Sequence, residues 1–331
     1  MSKFKFGFGD SVAVAQAATY VLNWRASRVF EFHPTYPPIE GFEKLNDLTR
    51  KLVHSLTGKE YRYVLITHGA TGALNLILRD MINDYPAGLH IDPLHFIYYP
   101  MMAARTGHEL VDRDAFLKSK KMLQLTALPS NPEGKLETDG TSAERTIWDA
   151  CYFSPVYMNQ KLHTSSYLPK HVAMVGSFGK LLGYNGVRLG WVATDDKQVY
   201  QNIMRDQVAE TMGVSTLGCA LVTNTLEGMF EGDGLEGQKF YARARGALNN
   251  NRDAVRRLEK LGHRPVPENG MFWFTEIDTA ARMKFDKAGV DYIDGKHCGS
   301  KEQSIRINLG QDEELTGEMV KAVLKADRVR K

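Results

Sequence analysis

A lysine suited to nucleophilic work stands in Ser177-Phe178-Gly179-Lys180-Leu181-Leu182-Gly183-Tyr184-Asn185-Gly186-Val187-Arg188-Leu189-Gly190-Trp191. It follows the mostly apolar run His171–Phe178 and precedes a glycine-rich bend, with Arg188 eight residues on. A lysine is ordinarily a solvated surface charge. One turned into a cleft beside another cation releases its proton more readily and offers a nucleophilic amine. Three further segments carry chemistry. Thr67-His68-Gly69-Ala70-Thr71-Gly72-Ala73-Leu74 follows an apolar run and opens an amphipathic one. Small residues there leave N–H groups free at a helix N-terminus, which together with the Thr71 hydroxyl would seat an anion such as phosphate. The plainer alternative is a strand-to-helix turn with a threonine cap. Leu128-Pro129-Ser130-Asn131-Pro132-Glu133-Gly134 reads alone as turn chemistry. In Thr146-Ile147-Trp148-Asp149-Ala150-Cys151-Tyr152 a carboxylate ends an apolar run. That is the edge of an α/β sheet where ligands bind. A buried Asp149 needs a partner, and a structural salt bridge is the alternative.

These side chains need a scaffold. Apolar runs of strand length recur at Tyr63–Thr67, His95–Tyr99, Glu109–Asp112, Met122–Leu128, Thr146–Asp149, Val172–Phe178 and Leu189–Thr194. Several are short and β-branched, as strands covered on both faces are. Helical patterns lie between some of them, most clearly at Thr71–Asn83. Alternation of this kind predicts an α/β fold with a mostly parallel sheet and helices on both faces. After Thr194 the pattern changes: long helices over Lys197–Glu227 and Glu236–Leu261, strands at Met271–Ile277 and Ser304–Leu309, and a closing helix from about Asp312. This predicts a second, smaller α+β lobe. The expected division is 40–230 for the large domain, with 1–39 and 231–331 forming the small one. The first thirty residues carry no sheet pattern and are expected to pack on the small lobe.

The chain has 331 residues, enough for one large α/β domain or two lobes. Its 42 Lys+Arg against 39 Asp+Glu leave +3, which excludes a protein built mainly to coat nucleic acid. No run approaches the roughly 18 apolar residues of a membrane span, so no membrane partner is expected. Met1-Ser2-Lys3-Phe4-Lys5 imitates the start of a secretory signal, but Gly7, Gly9 and Asp10 interrupt what would have to follow. Cys151, Cys219 and Cys298 are odd in number and lack CxxC spacing. They fit the cytoplasm and argue against a disulfide frame and a zinc site, so no metal is expected.

Taken in order, the anion seat, the Asn-Pro turn, the strand-end Asp149 and the strand-end Lys180 resemble fold-type I pyridoxal phosphate enzymes of the class I/II aminotransferase family. The resemblance runs from about Tyr36 to Gly310 and is most specific in S-x-x-K…G-x-R-x-G-W. It implies a seven-stranded, mostly parallel sheet and pyridoxal 5'-phosphate as cofactor. By this resemblance Lys180 forms the Schiff base with the cofactor and moves the substrate α-proton. Asp149 faces the pyridine nitrogen, and Asn131 and Tyr152 reach the ring's phenolic oxygen. Gly69, Ala70, Thr71, Ser177 and Arg188 seat the phosphate. Tyr99, in Tyr99-Pro100, stacks on the ring, with Tyr98 one residue away. Arg306 in Ser304-Ile305-Arg306-Ile307-Asn308 grips the substrate α-carboxylate, helped by Asn131; the alternative is an arginine on a strand's solvent face. Tyr36 reaches the partner's phosphate, which implies a homodimer with composite sites. The loop around Gly7-Phe8-Gly9 is a candidate to touch substrate.

The sequence also departs from the family pattern. It is shorter than most members, the interval from Tyr99 to Gly107 is brief, and Gly179 replaces the second serine of the common S-x-S-K. These differences bear on the substrate rather than the cofactor. The expected activity is an aminotransferase acting on an amino acid. A decarboxylase or lyase of the same fold is the alternative, and a substrate carried on a modified nucleotide stays open. An acylating S-x-x-K enzyme would need S-D-N and K-T-G elements, which this chain lacks.

Overall fold

The computed structural model describes residues 3–7, 11–17, 37–137, 141–158, 168–231 and 234–328. Its apolar runs become strands whose residues are nearly all buried: β2 (Tyr63–Thr67), β3 (Leu89–Ile91), β4 (Leu110–Val111), β5 (Leu123–Ala127), β6 (Thr146–Asp149), β7 (Ala173–Ser177) and β8 (Gly190–Thr194). They form one seven-stranded sheet in the order β2-β8-β7-β6-β5-β3-β4. β3, β4, β5, β6 and β7 pair in parallel, and β8 alone runs antiparallel to both its neighbours. Helices cover both faces. Gly69–Met81 packs on β2, β7 and β8, and Lys197–Thr211 packs on β2, β8 and that helix. Side-chain volumes fit pairwise across this core. Gly176 on β7 pairs with Trp191 on β8, and a Cβ on Gly176 would lie 2.1 Å from the indole. Only a bare backbone lets that ring lie flat on the sheet.

The smaller lobe is built on a second sheet, β9 (Phe272–Glu276), β11 (Ile293–Asp294) and β12 (Ser304–Asn308), antiparallel in the order β11-β12-β9. The helices Thr279–Lys287, Leu235–Arg256 and Glu313–Arg328 accompany it, and the last packs on the other two. The N-terminal β1 (Phe4–Lys5) pairs in parallel with β10 (Val290–Asp291), and the Asn308 N–H donates to the Phe6 carbonyl. Residues 4–6 thus pair with this lobe, while Ser11 accepts from the Tyr157 hydroxyl and Ala15 lies against Gly183. No helix among the described residues is long and apolar enough to cross a membrane.

Two expectations need correction. His95–Tyr99 is not a strand: the residues lead into the helix Tyr99–Arg105, and the strand is Leu89–Ile91. Asp92-Pro93 ends that strand after three residues, too few for a periodic signal, and Pro100 sits early in the helix, where a missing N–H costs nothing. The helix expected over Lys197–Glu227 is two, Lys197–Thr211 and Thr216–Phe230. Met212 (φ 56°) and Gly213 (φ 111°) turn left-handed between them, and the Ser215 hydroxyl caps the second by accepting from the Gly218 N–H.

Candidate active site

Every parallel strand that delivers a candidate residue does so at one edge of the sheet. β2 ends at Thr67 and leads into the Gly69 helix; β5 leads to Asn131; β6 ends on Asp149; β7 ends on Ser177, three residues before Lys180. Because β8 is antiparallel, its first residue, Gly190, returns to the same edge two residues after Arg188. The carboxyl edge of the sheet thus collects all of them. A cavity of about 510 Å³ opens there, with Ala70, Thr71, Asn131, Asp149, Tyr152, Ser177, Lys180, Arg188 and Arg306 in its wall.

Asp149 is 8% exposed and is held by neutral donors: the Tyr99 hydroxyl donates to Oδ2 at 2.7 Å and the Cys151 N–H to Oδ1 at 3.0 Å. It makes no ion pair among the described residues, so the salt-bridge alternative is not met. Burial, and then the Asp149 charge, push the Tyr99 hydroxyl pKa well up, which keeps it a donor. The same two causes raise the Cys151 thiol. Lys180 Nζ donates to Asn185 Oδ1 at 3.0 Å, and the Tyr157 hydroxyl donates to the Lys180 carbonyl at 2.7 Å.

Arg306 is 2% exposed, so the solvent-face alternative fails. Nη1 donates to Asn131 Oδ1 at 3.0 Å and Nη2 to the Gly7 carbonyl at 3.2 Å, while the guanidinium lies 4.2 Å over the Phe272 ring. Its Nε has no partner among the described residues, and no carboxylate there pairs with it. Burial pushes its pKa down from the usual value. A buried cation with only neutral neighbours is costly unless an anion completes it.

The anion seat has a physical basis as well. A Cβ on Gly190 would lie 2.6 Å from the Gly69 carbonyl carbon and 2.7 Å from the Ala70 nitrogen. Its absence lets the first turn of the helix Gly69–Met81 press against the sheet edge, beside Arg188 and Ser177. Donors for a phosphate, a carboxylate for a ring nitrogen and a primary amine therefore share one cavity, and this set fits pyridoxal phosphate in chemical type.

Some expected residues fall elsewhere. Tyr99 is not in the cavity wall: it is 1% exposed and lies behind Asp149, whereas Phe96 and Tyr98 face the cavity. The ring-stacking reading of Tyr99 is therefore corrected, because its side chain is spent on the carboxylate. Gly69 stands next to the wall rather than in it. Tyr36, Phe8 and Gly9 lie outside the described residues, and Gly7 contributes its carbonyl to Arg306. The sequence reading gave no role to Asn185, Phe272 or Arg105, all in the wall. Only Asn185 carried a signal, as a polar side chain inside the glycine-rich bend.

Comparison with known proteins addresses the family and the fold. A family model described as aminotransferase class I and II matches residues 146–323. An alliin lyase of Allium cepa var. aggregatum is 23% identical over 217 residues, covering 60% of this chain and 46% of that protein. Alliin lyase 2 of Allium sativum is 27% identical over 94 residues, 28% of this chain and 19% of that one. The chain thus spans less than half the length of these curated relatives. An aromatic aminotransferase from Pyrococcus horikoshii superposes with a TM-score of 0.75 at 18% identity, covering 97% of this chain and 95% of that one. A double mutant of Thermus thermophilus aspartate aminotransferase gives 0.75 at 15% identity, over 98% and 92%. At such identities the superpositions speak for the fold, while the family model matches more than half of the chain and covers Asp149, Lys180, Arg188 and Arg306. On that match the chain belongs to the class I and II aminotransferase family of fold-type I pyridoxal phosphate enzymes.

Proposed function

We propose that this chain is an aminotransferase that uses pyridoxal 5'-phosphate to move the amino group of an amino acid. The observation that carries the substrate class is Arg306, a buried guanidinium whose Nε lacks a partner among the described residues and which shares a cavity with Lys180. A substrate α-carboxylate would complete it through charge-assisted hydrogen bonds. Asn131 Oδ1 is already committed to Arg306, so its amide nitrogen is left to donate into the cavity.

When bound, the cofactor supplies an electron sink for a bond breaking at the substrate α-carbon. The protein's side chains do the rest. The Lys180 amine holds the cofactor covalently and, once released, takes and returns the α-proton. The Asp149 carboxylate keeps a proton on the ring nitrogen. Ala70, Thr71, Ser177 and Arg188 hold the phosphate, while Asn131 and Tyr152 donate to the phenolic oxygen. Tyr98 or Phe96 covers the ring. We assign this chemistry to a unit of residues 40–230 and the closing lobe to 1–39 and 231–331. The enzyme works as a cytoplasmic homodimer in which Tyr36 reaches the partner's site. The half-exposed Tyr98 and Met101 at the cavity supply apolar surface for such a pairing.

A lyase is the second reading, supported by the alliin lyases among the relatives. One experiment separates the two. The holoenzyme is incubated with each amino acid in turn, and the cofactor is then extracted. Transamination yields pyridoxamine phosphate and the matching keto acid. A lyase yields ammonia, or a fragment cut from the side chain, and returns the aldehyde form. Arg306→Ala should raise KM about a hundredfold for carboxylate-bearing donors, and an unchanged KM would contradict the carboxylate reading.

A further inference from the structure

Asn185 accepts hydrogen bonds from two cations of the site, Lys180 and Arg188. Its side-chain oxygen takes Lys180 Nζ at 3.0 Å, and its backbone carbonyl takes Arg188 Nη1 at 3.1 Å. The residue opens the short 3-10 turn Asn185–Val187, which ends on Arg188 in a left-handed conformation (φ 56°). Gly179 makes this approach possible. A Cβ there would lie 3.1 Å from both Asn185 Cα and Oδ1, and 3.2 Å from Ser177 Oγ. Such contacts are tight enough that the asparagine would have to move. The glycine that departs from the S-x-S-K pattern and the asparagine five residues after the lysine therefore act as one device: the first vacates space that the second fills.

We propose that Asn185 is a positioning residue that receives the Lys180 ammonium whenever that amine is not joined to the cofactor, and fixes its spacing from Arg188. The proposal rests on reading Lys180 as the cofactor lysine. An amide oxygen bonds a charged ammonium donor more strongly than a neutral amine, so it stabilises the ammonium and raises proton affinity. Other groups face Lys180 as well: Asp149 from β6 favours the ammonium, Arg188 opposes it, and Cys151 and Tyr152 are buried and neutral. Each of these groups stays in the chain when Asn185 is replaced.

The test reads the amine directly in the full chain freed of cofactor. Each lysine is reductively methylated across a range of pH and quantified by peptide mass, which gives a titration midpoint for Lys180. Asn185→Ala should lower that midpoint by about one unit, and the isosteric Asn185→Asp should raise it. Gly179→Ala should lower it while leaving the amide in the chain. The order Asp above Asn above Ala is one that a purely structural residue would not produce. Midpoints for Lys180 that coincide in the wild type, Asn185→Ala and Asn185→Asp would overturn the proposal. Attachment of pyridoxal phosphate to the wild type is scored separately. Its absence would sink the cofactor reading while leaving the labelling order to be judged by itself.

Discussion

At the residue scale the centre of the account is a buried carboxyl group held by neutral donors. Asp149 relies on one hydroxyl and one backbone N–H. Hydrogen bonds to an ionised acceptor are each worth roughly 1.5–3 kcal/mol, so the Tyr99 bond matters to whatever Asp149 holds. Tyr99→Phe should weaken cofactor binding about tenfold, measured by equilibrium titration of the cofactor-free enzyme. Binding as tight as the wild type's would make Tyr99 a packing residue only. Lys180, Asp149, Asn131, Arg188 and Arg306, which the family resemblance singled out in the sequence, all line one cavity. Tyr99 and Asn185 were misread or passed over. Their roles arise from contacts across 50 residues in one case and across a bend in the other, and neither spacing is a motif.

At the element scale, the entry to β7 holds a neutral imidazole. His171 Nε2 accepts from the Tyr61 hydroxyl at 2.7 Å, and Nδ1 donates to the Pro169 carbonyl at 2.6 Å. Burial lowers its pKa from 6.5 to about 4. The unfolded chain therefore binds a proton at higher pH than the folded one. The contribution to stability is fully present above about pH 6.5 and is lost as pH falls towards 4, up to about 3 kcal/mol in all. Urea unfolding at several pH values across that window should show stability falling with acid, and His171→Gln should flatten the slope. Equal slopes in both proteins would contradict a buried neutral histidine. The buried strands of the sheet were readable because apolar runs of four or five residues leave a signal. Leu89–Ile91 has only three residues, and β1 only two, so neither leaves a pattern. The break at Met212-Gly213 sits inside a sequence otherwise compatible with helix, where one left-handed turn decides the matter.

At the scale of the whole molecule, the sheet order brings residues far apart in sequence to one edge, and β12 of the small lobe adds Arg306 from the other side. The layered α/β plan was legible from alternation alone. That the first described residues pair with β10 and lend a carbonyl to Arg306 was visible only once the chain was folded. Everything assigned to the cavity depends on a covalent link at one amine. The purified protein, incubated with pyridoxal phosphate, reduced with borohydride and digested, can be read peptide by peptide for the added phosphopyridoxyl mass. The account predicts that mass on Lys180, and none in Lys180→Ala. Label on a different lysine, or equal label in both proteins, would contradict it.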